Sequence, residues 1–330
     1  MSLNKPIYKL RDWVDKNQID YHWIDLCINP NAISLLEENI DKINWTYLSS
    51  NPNAISLLEN NIDKINWTYL SQNPNAISLL KKNLNKVSWI YLSENPNAFE
   101  ILNENRDKID WYSLSKNPNT ISLLENNLDK IKWNYLNKNT NSIIISYLDK
   151  NRHRINWNVI SSNRNPKVLK ILNENLDKVN WNYLSANPIA MPILEKNLDK
   201  INYYYLSLNP NAIKILRNNI DKIDWINLSS NSSYEAIKLL EENTDKIDWD
   251  YLSDNPYAIP ILEKNLNKIN YNFLFRNPSI FQLDYEKMKN NEIHMKLEEE
   301  LIQEIMKPSR VFKNYDNNNE YDYLEELFGY

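Results

Sequence analysis

The sequence predicts an all-α protein, a right-handed-type α-solenoid of about twelve short helical hairpins. The first observation is an aromatic residue at a fixed period. Tryptophan stands at 23, 45, 67, 89, 111 and 133, and Trp157, Trp181, Tyr203, Trp225, Trp249 and Tyr271 continue the series. The interval is 22 residues, with three intervals of 24. The second is the apolar spacing inside a unit: Ala54, Ile55, Leu57 and Leu58, then Trp67 and Leu70, lie three and four apart as on a helix face. The third is an Asn-Pro pair before most first helices, as at Asn51-Pro52.

One unit, Asn51 to Ser71, shows what each position does. Asn51 is expected to cap the first helix and Pro52 to occupy its first turn, where a missing N–H costs nothing. That helix is expected to run about ten residues and to end at Asn61, in the left-handed conformation that Asn tolerates after Gly. With one glycine in the chain and roughly one residue in six Asn, asparagine is assigned the helix-ending role throughout. Ile62 and Ile65 anchor the connection, Asn66 caps the second helix, and Trp67 and Leu70 share its buried face. Helices this short are unstable alone, so neighbours must stack. A tryptophan at the centre, Trp111, is expected to be core, its truncation to alanine costing ~3–5 kcal/mol.

A leucine-rich-repeat-like horseshoe is the alternative fold, since its period spans this one. It requires an L-x-L strand of period two, and the spacings here are three and four. Twelve units stacked at ~10 Å per layer predict an elongated object on the order of 100 Å long. Residues 1–19 are expected to cap its first face through Leu10, Trp13, Val14 and Ile19. The solenoid proper is assigned to 20–283, and 284–330 to a capping helix followed by an acidic tail. The three longer units place their extra residues between the second helix and the next first helix, at Asn139-Thr140, Asn163-Arg164-Asn165-Pro166 and Asn231-Ser232. These mark either a binding edge or a helix that starts later.

Composition narrows function. Net charge is −5, and residues 284–330 carry twelve acidic and six basic residues, leaving 32 basic and 31 acidic residues in the body. A basic stripe of the kind nucleic-acid binders carry is not evident. Cys27 is the only cysteine, which suits a reducing compartment, and no signal-like or membrane-spanning run is present. His22, His153 and His294 lie apart, without metal-ligand spacing. Phosphate-cradling loops need glycine, and only Gly329 exists. No catalytic constellation, cofactor or metal is expected, so the chain reads as a non-catalytic scaffold for a protein partner.

Two sets of positions are candidates for partner contact. Two residues after the repeated aromatic stand Tyr47, Tyr69, Tyr91, Tyr135, Tyr183, Tyr205 and Tyr251, with Phe273 similar. This ladder either packs between units or forms a surface that grips a peptide or stacks the bases of a single-stranded nucleic acid. The residue before Asn-Pro varies freely: Ser50, Gln72, Glu94, Lys116, Ala186, Leu208, Asp254 and Arg276.

The units LSxNPNAIxLLExNxDKIxW resemble the Asn-Pro/Trp repeat proteins that giant DNA viruses of the mimivirus kind encode in many copies. The resemblance covers about residues 10–280 and includes the entry segment Asp12-Trp13-Val14 through Trp23. Lys307-Pro308-Ser309-Arg310-Val311 is similar to their "HPxR" ending, with Lys307 where His is usual. It implies a viral source. The expected location is the host cytoplasm, with virion association as an extension.

Overall fold

The computed structural model describes residues 6–290 apart from residue 128. The expected ending at Lys307–Val311 and the acidic tail lie outside the described residues. Two compact units result. One is Lys9–Gln282; the other joins Met1–Tyr8 to Leu283–Tyr330. In the second, the amide of Asp284 donates to the Ile7 carbonyl at 2.8 Å, and Asp284 starts the helix Tyr285–Asn290.

The unit Lys9–Gln282 is all-α apart from the ends of its chain. Twelve short helices begin at the repeated aromatic, from Trp23–Ile28 to Tyr271–Leu274. Eleven Asn-Pro helices alternate with them, from Ile33–Glu37 to Ile259–Leu262. The only described strands are Tyr8–Leu10 and Phe281–Leu283, which pair as a two-stranded sheet, so no leucine-rich-repeat-like horseshoe forms. Ala54 and Leu58 from one helix, Leu48 and Leu70 from the Trp helices, and Ile65 from the connection supply the core, each repeated in neighbouring units.

Local chemistry departs from the expected capping in two places. Asn51-Pro52-Asn53 is a turn rather than a first helical turn: the Asn51 Oδ1 accepts from the Asn53 amide at 3.0 Å, and the helix proper is Ile55–Glu59. Asn61 is not left-handed, at φ −137°. Its side chain instead donates to the Leu57 carbonyl at 2.9 Å, satisfying one of the orphan acceptors at the helix end. The second cap forms as expected, the Asn66 Oδ1 accepting from the amides of Thr68 and Tyr69.

The array does not extend as an open rod; it closes on itself. Asn51 Nδ2 donates to the carbonyls of Cys27 and Asn29 in the preceding unit, at 2.9 and 3.0 Å. Asn95 does the same to Ser71 and Asn73, and Asn277 to Ser253 and Asn255. Asn29, in the first unit, donates to Phe275 at 2.9 Å and Asn277 at 3.1 Å in the last. The ladder of twelve asparagines, from Asn29 to Asn277, thus runs in a circle, and every one is at most 7% exposed. A second ladder joins the units through serine: Ser49 Oγ donates to the Trp45 carbonyl and accepts from the Asn66 amide. Cys27 and Asn137 take the serine's place in their units.

The closing junction is built from both chain ends. No Asn-Pro helix follows Tyr271–Leu274; the turn Pro278–Ile280 leads into the strand Phe281–Leu283. Residues 10–15 pack where the first unit meets the last. Leu10 and Val14 are buried, Arg11 Nε donates to the Ser279 carbonyl at 2.8 Å, and Trp13 Nε1 donates to Glu263 at 2.8 Å. Here His22 stacks on Phe275 at 5.0 Å, replacing the serine-to-amide bond of the other junctions. The three longer units keep the asparagine ladder in register: Asn163 Nδ2 still reaches the carbonyls of Asn137 and Asn139. Their extra residues delay the next helix, which Asn141 and Ser233 then cap.

Candidate interaction surface on the Trp helices

The Trp helices form the inner layer of the ring. Consecutive Trp helices pack directly on one another, whereas consecutive Asn-Pro helices lie further apart. In a closed ring the layer with closer neighbours is the inner one. Each Trp helix buries the third and fourth residues after its aromatic, as Leu70 and Ser71, and half-buries the aromatic itself. At 100° per residue, the first, second and fifth residues after the aromatic share the opposite face. That face is exposed or half-exposed in every unit but one, where Ser113 is buried.

The tyrosines expected at the second of these positions lie on it. Tyr47, Tyr69, Tyr91, Tyr183 and Tyr251 are 36–47% exposed, and Tyr135 and Tyr205 are half-buried. They are partly exposed, and several rings also meet the ring of a neighbouring unit. Ring centroids of neighbours are 6.5 Å apart for Tyr47–Tyr69, 6.4 Å for Tyr183–Tyr205 and 6.2 Å for Tyr251–Phe273. Packed helix axes lie ~8–10 Å apart, so these side chains converge toward the centre of the ring.

The ladder is not continuous. Asp25, Ser113, Val159 and Asn227 hold the tyrosine position in four units. Tyr112 replaces the missing ring from the adjacent position and meets Tyr135 at 3.7 Å. Hydrogen bonding and proximity to Tyr135 push the Tyr112 phenol up from its ordinary value. Sequence reasoning missed Tyr112, Tyr204, Ile24, Ile90 and Ile226, all exposed on this face. The helical period alone places them there, one residue after the aromatic.

The variable residues before Asn-Pro edge the same face. Lys116 Nζ meets Glu94 at 3.1 Å, and Arg276 Nε lies 3.6 Å from Asp25 across the closing junction. Burial pushes the Asp254 carboxyl up, opposed by Arg276 and assisted by Asp25. The repeated lysines are engaged elsewhere. Lys64 Nζ sits 4.8 Å over the Trp45 ring, and the pattern recurs at Lys86–Trp67, Lys108–Trp89, Lys130–Trp111 and Lys246–Trp225.

Among the described residues no group of three His, Cys, Asp or Glu side chains could hold a metal, and no helix is long and apolar enough to cross a membrane. A small recess bounded by Ile121, Leu124, Glu125, Trp133, Ile144 and Tyr147 exposes only apolar surface. Compared with known proteins, the chain matches no family model, no curated protein and no solved structure.

Proposed function

We propose that this ring is a non-catalytic protein-binding scaffold that engages its partner on the exposed face of the Trp helices. The observation that carries the reading is the tyrosine series standing exposed on an inner wall with few charges. Exposed tyrosine offers large contact area at low entropic cost, and aromatic anchors dominate protein interfaces. Single-stranded nucleic acid fits less well. On this wall Asp25, Glu94, Asp250 and Asp254 outnumber Lys116, Lys138 and Arg276, and the repeated lysines lie over tryptophans.

The resemblance to mimivirus-kind repeat proteins directs the test to infected host cells. The wild-type chain and a Tyr69→Ala/Tyr183→Ala/Tyr251→Ala variant serve as bait, with proteins identified by mass spectrometry. Partners recovered by wild type and lost by the variant support the reading. Identical recovery by both overturns it, and retention of single-stranded RNA or DNA in a low-salt filter assay favours nucleic acid instead.

A further inference from the structure

Charge is segregated around the ring although its totals balance. Residues 77–170 carry fifteen basic and eight acidic residues, while the rest of 1–283 holds 17 basic and 23 acidic. Much of the surplus sits where each Asn-Pro helix connects to the following Trp helix, along one edge of the ring. Most of these connections are self-neutral, an exposed Asp beside an exposed Lys, as at Asp63-Lys64 and Asp221-Lys222. Two departures break that pattern inside the basic segment. Arg152-His153-Arg154 holds the place that Ile62-Asp63-Lys64 holds in its own unit, so the carboxylate is lost. Lys132 stands where Asn66, Asp110 and Asn156 cap their Trp helices, and the helix Trp133–Leu136 starts without a side-chain cap. At this one place a stabilising cap is exchanged for a cation.

The two departures meet. Arg154 lies over Trp133, 4.6 Å from the ring centroid, and Lys132 immediately precedes that tryptophan. Lys130 and Lys132 are both exposed, with the buried Ile131 between them, and Lys150 is exposed at the end of the helix that leads into Arg152. Arg154 Nε donates to His153 Nε2 at 3.2 Å. Its two terminal nitrogens remain on a guanidinium laid against a ring, the fork that grips a carboxylate with paired bonds. Carboxylates of the same segment are engaged: Asp149 by Arg152 and Lys170, Glu104 by Lys81, and Asp110 as a helix cap. Among the described residues, Lys130, Lys132, Lys150 and Arg154 have no carboxylate at ion-pair distance.

The sign of the surplus calls for an anionic occupant, and three further observations narrow its class. Single-stranded nucleic acid needs open aromatic faces on which bases stack, and here Lys108, Lys130 and Arg154 already cover Trp89, Trp111 and Trp133. An anionic membrane surface favours cations mixed with apolar residues, and Arg106 and Arg152 replace the aliphatic side chain that is exposed at Ile40, Ile62, Leu198 and Ile220. A second copy offers Asp beside Lys on its other connections, and its Glu241 and Glu242 are paired with Lys264 and Arg217. A run of carboxylates on an extended chain meets none of these obstacles. We propose that the edge from Lys130 to Arg154 is a second docking surface, separate from the tyrosine series, and that it takes an acidic, Asp/Glu-rich segment of a partner protein. The proposal stands apart from the reading of the Trp-helix face above.

The test uses fluorescence anisotropy on the full chain at low salt. The probe is a labelled peptide of about ten Glu and Asp residues. Its controls are the same peptide with Gln and Asn, and single-stranded oligouridylate of equal charge. Micromolar binding of the acidic peptide is expected, lost at about 0.5 M salt, with no binding of the amide peptide. Lys132→Asn gives the discriminating readout, because it restores the cap of the other units while removing the cation. It should raise the melting temperature and weaken the acidic peptide about threefold, two directions that a merely structural residue does not combine. Adding Lys150→Gln should bring the loss to about tenfold. Lys222→Gln, at a self-neutral connection outside the segment, should leave binding unchanged, and so should the three-tyrosine variant. Equal weakening by Lys222→Gln and Lys132→Asn overturns the site, since binding would then follow net charge alone. No binding of the acidic peptide, equal binding of the amide peptide, or equally tight binding of oligouridylate also overturns the proposal. So does self-association in sedimentation that Lys132→Asn abolishes while the peptide fails to compete. The bait experiment decides the tyrosine reading separately from all of these outcomes.

Discussion

Asparagine is the residue on which this protein turns, and in two distinct roles. One closes each helix from its own unit, as Asn61 does toward Leu57; the other ties each unit to the one before. Asn95 illustrates the second, fully buried and bonded to the carbonyls of Ser71 and Asn73. Asn95→Ala removes this donor from both carbonyls and leaves the Asn73 oxygen only the Ala76 amide, so a loss of about 1–3 kcal/mol is expected in urea unfolding. The sequence displays the asparagines but not which role each takes, because the same amide can cap its own helix or reach a neighbour. Only the inter-unit distance separates the two. Cys27 stands where most units have serine, and its sulfur accepts from the Asn44 amide at 3.3 Å as the serine oxygen does elsewhere. Burial pushes the thiol up, so dithionitrobenzoate should fail to react with native protein and react fully in denaturant. Rapid labelling of the native chain would contradict this placement.

At the scale of the element, the Trp helix presents two faces with different energetics. Leu114 is fully buried and Trp111 is not, since Lys130 covers a ring that remains partly open to water. Leu114→Ala should cost about 2–5 kcal/mol. Trp111→Ala should cost about 2–3 kcal/mol, less than a fully buried tryptophan, and equilibrium unfolding of both variants would show the order. Helix type, period and unit count were legible because spacings of three and four leave little room for a strand. The exposure of the tyrosines was not, because a repeated aromatic suits a core and a surface equally well. The helix Trp249–Asp254 ends at a carboxyl that burial holds above its ordinary value. The folded state therefore binds this proton more readily than the unfolded state. Stability contributed by Asp254 is complete below the ordinary carboxylate value and declines as pH rises through the raised one. Asp254→Asn should raise the urea midpoint at pH 7 and lose that advantage near pH 3.5.

For the whole ring unit, stability depends on one junction that the backbone does not cross. Eleven junctions are covalently continuous, and the twelfth rests on Asn29, Arg11, Trp13 and the His22–Phe275 stack. Phe275 is fully buried there, so Phe275→Ala should cost about 3–5 kcal/mol and enlarge the hydrodynamic radius as the junction parts. An unchanged radius with the same loss of stability would mean that the remaining contacts hold the circle shut. Closure was not legible in the sequence. It is the sum of twelve small rotations, and a few degrees per unit separate a ring from a spiral. Leu10, Val14, Ile280 and Phe281, apolar residues at both ends of the array, were the available hint. The asparagine circle also bears on heredity. An open solenoid can gain or lose a repeat by unequal recombination and still fold, because each added unit meets the same neighbour. Here each unit must turn the chain by one twelfth of a circle, so copy number is a whole-number condition set by geometry. Deleting residues 73–94 removes one complete 22-residue period, and the remaining eleven units would each have to turn further to meet. A change of copy number is therefore expected to cost stability at the closing junction, where an open array would lose nothing.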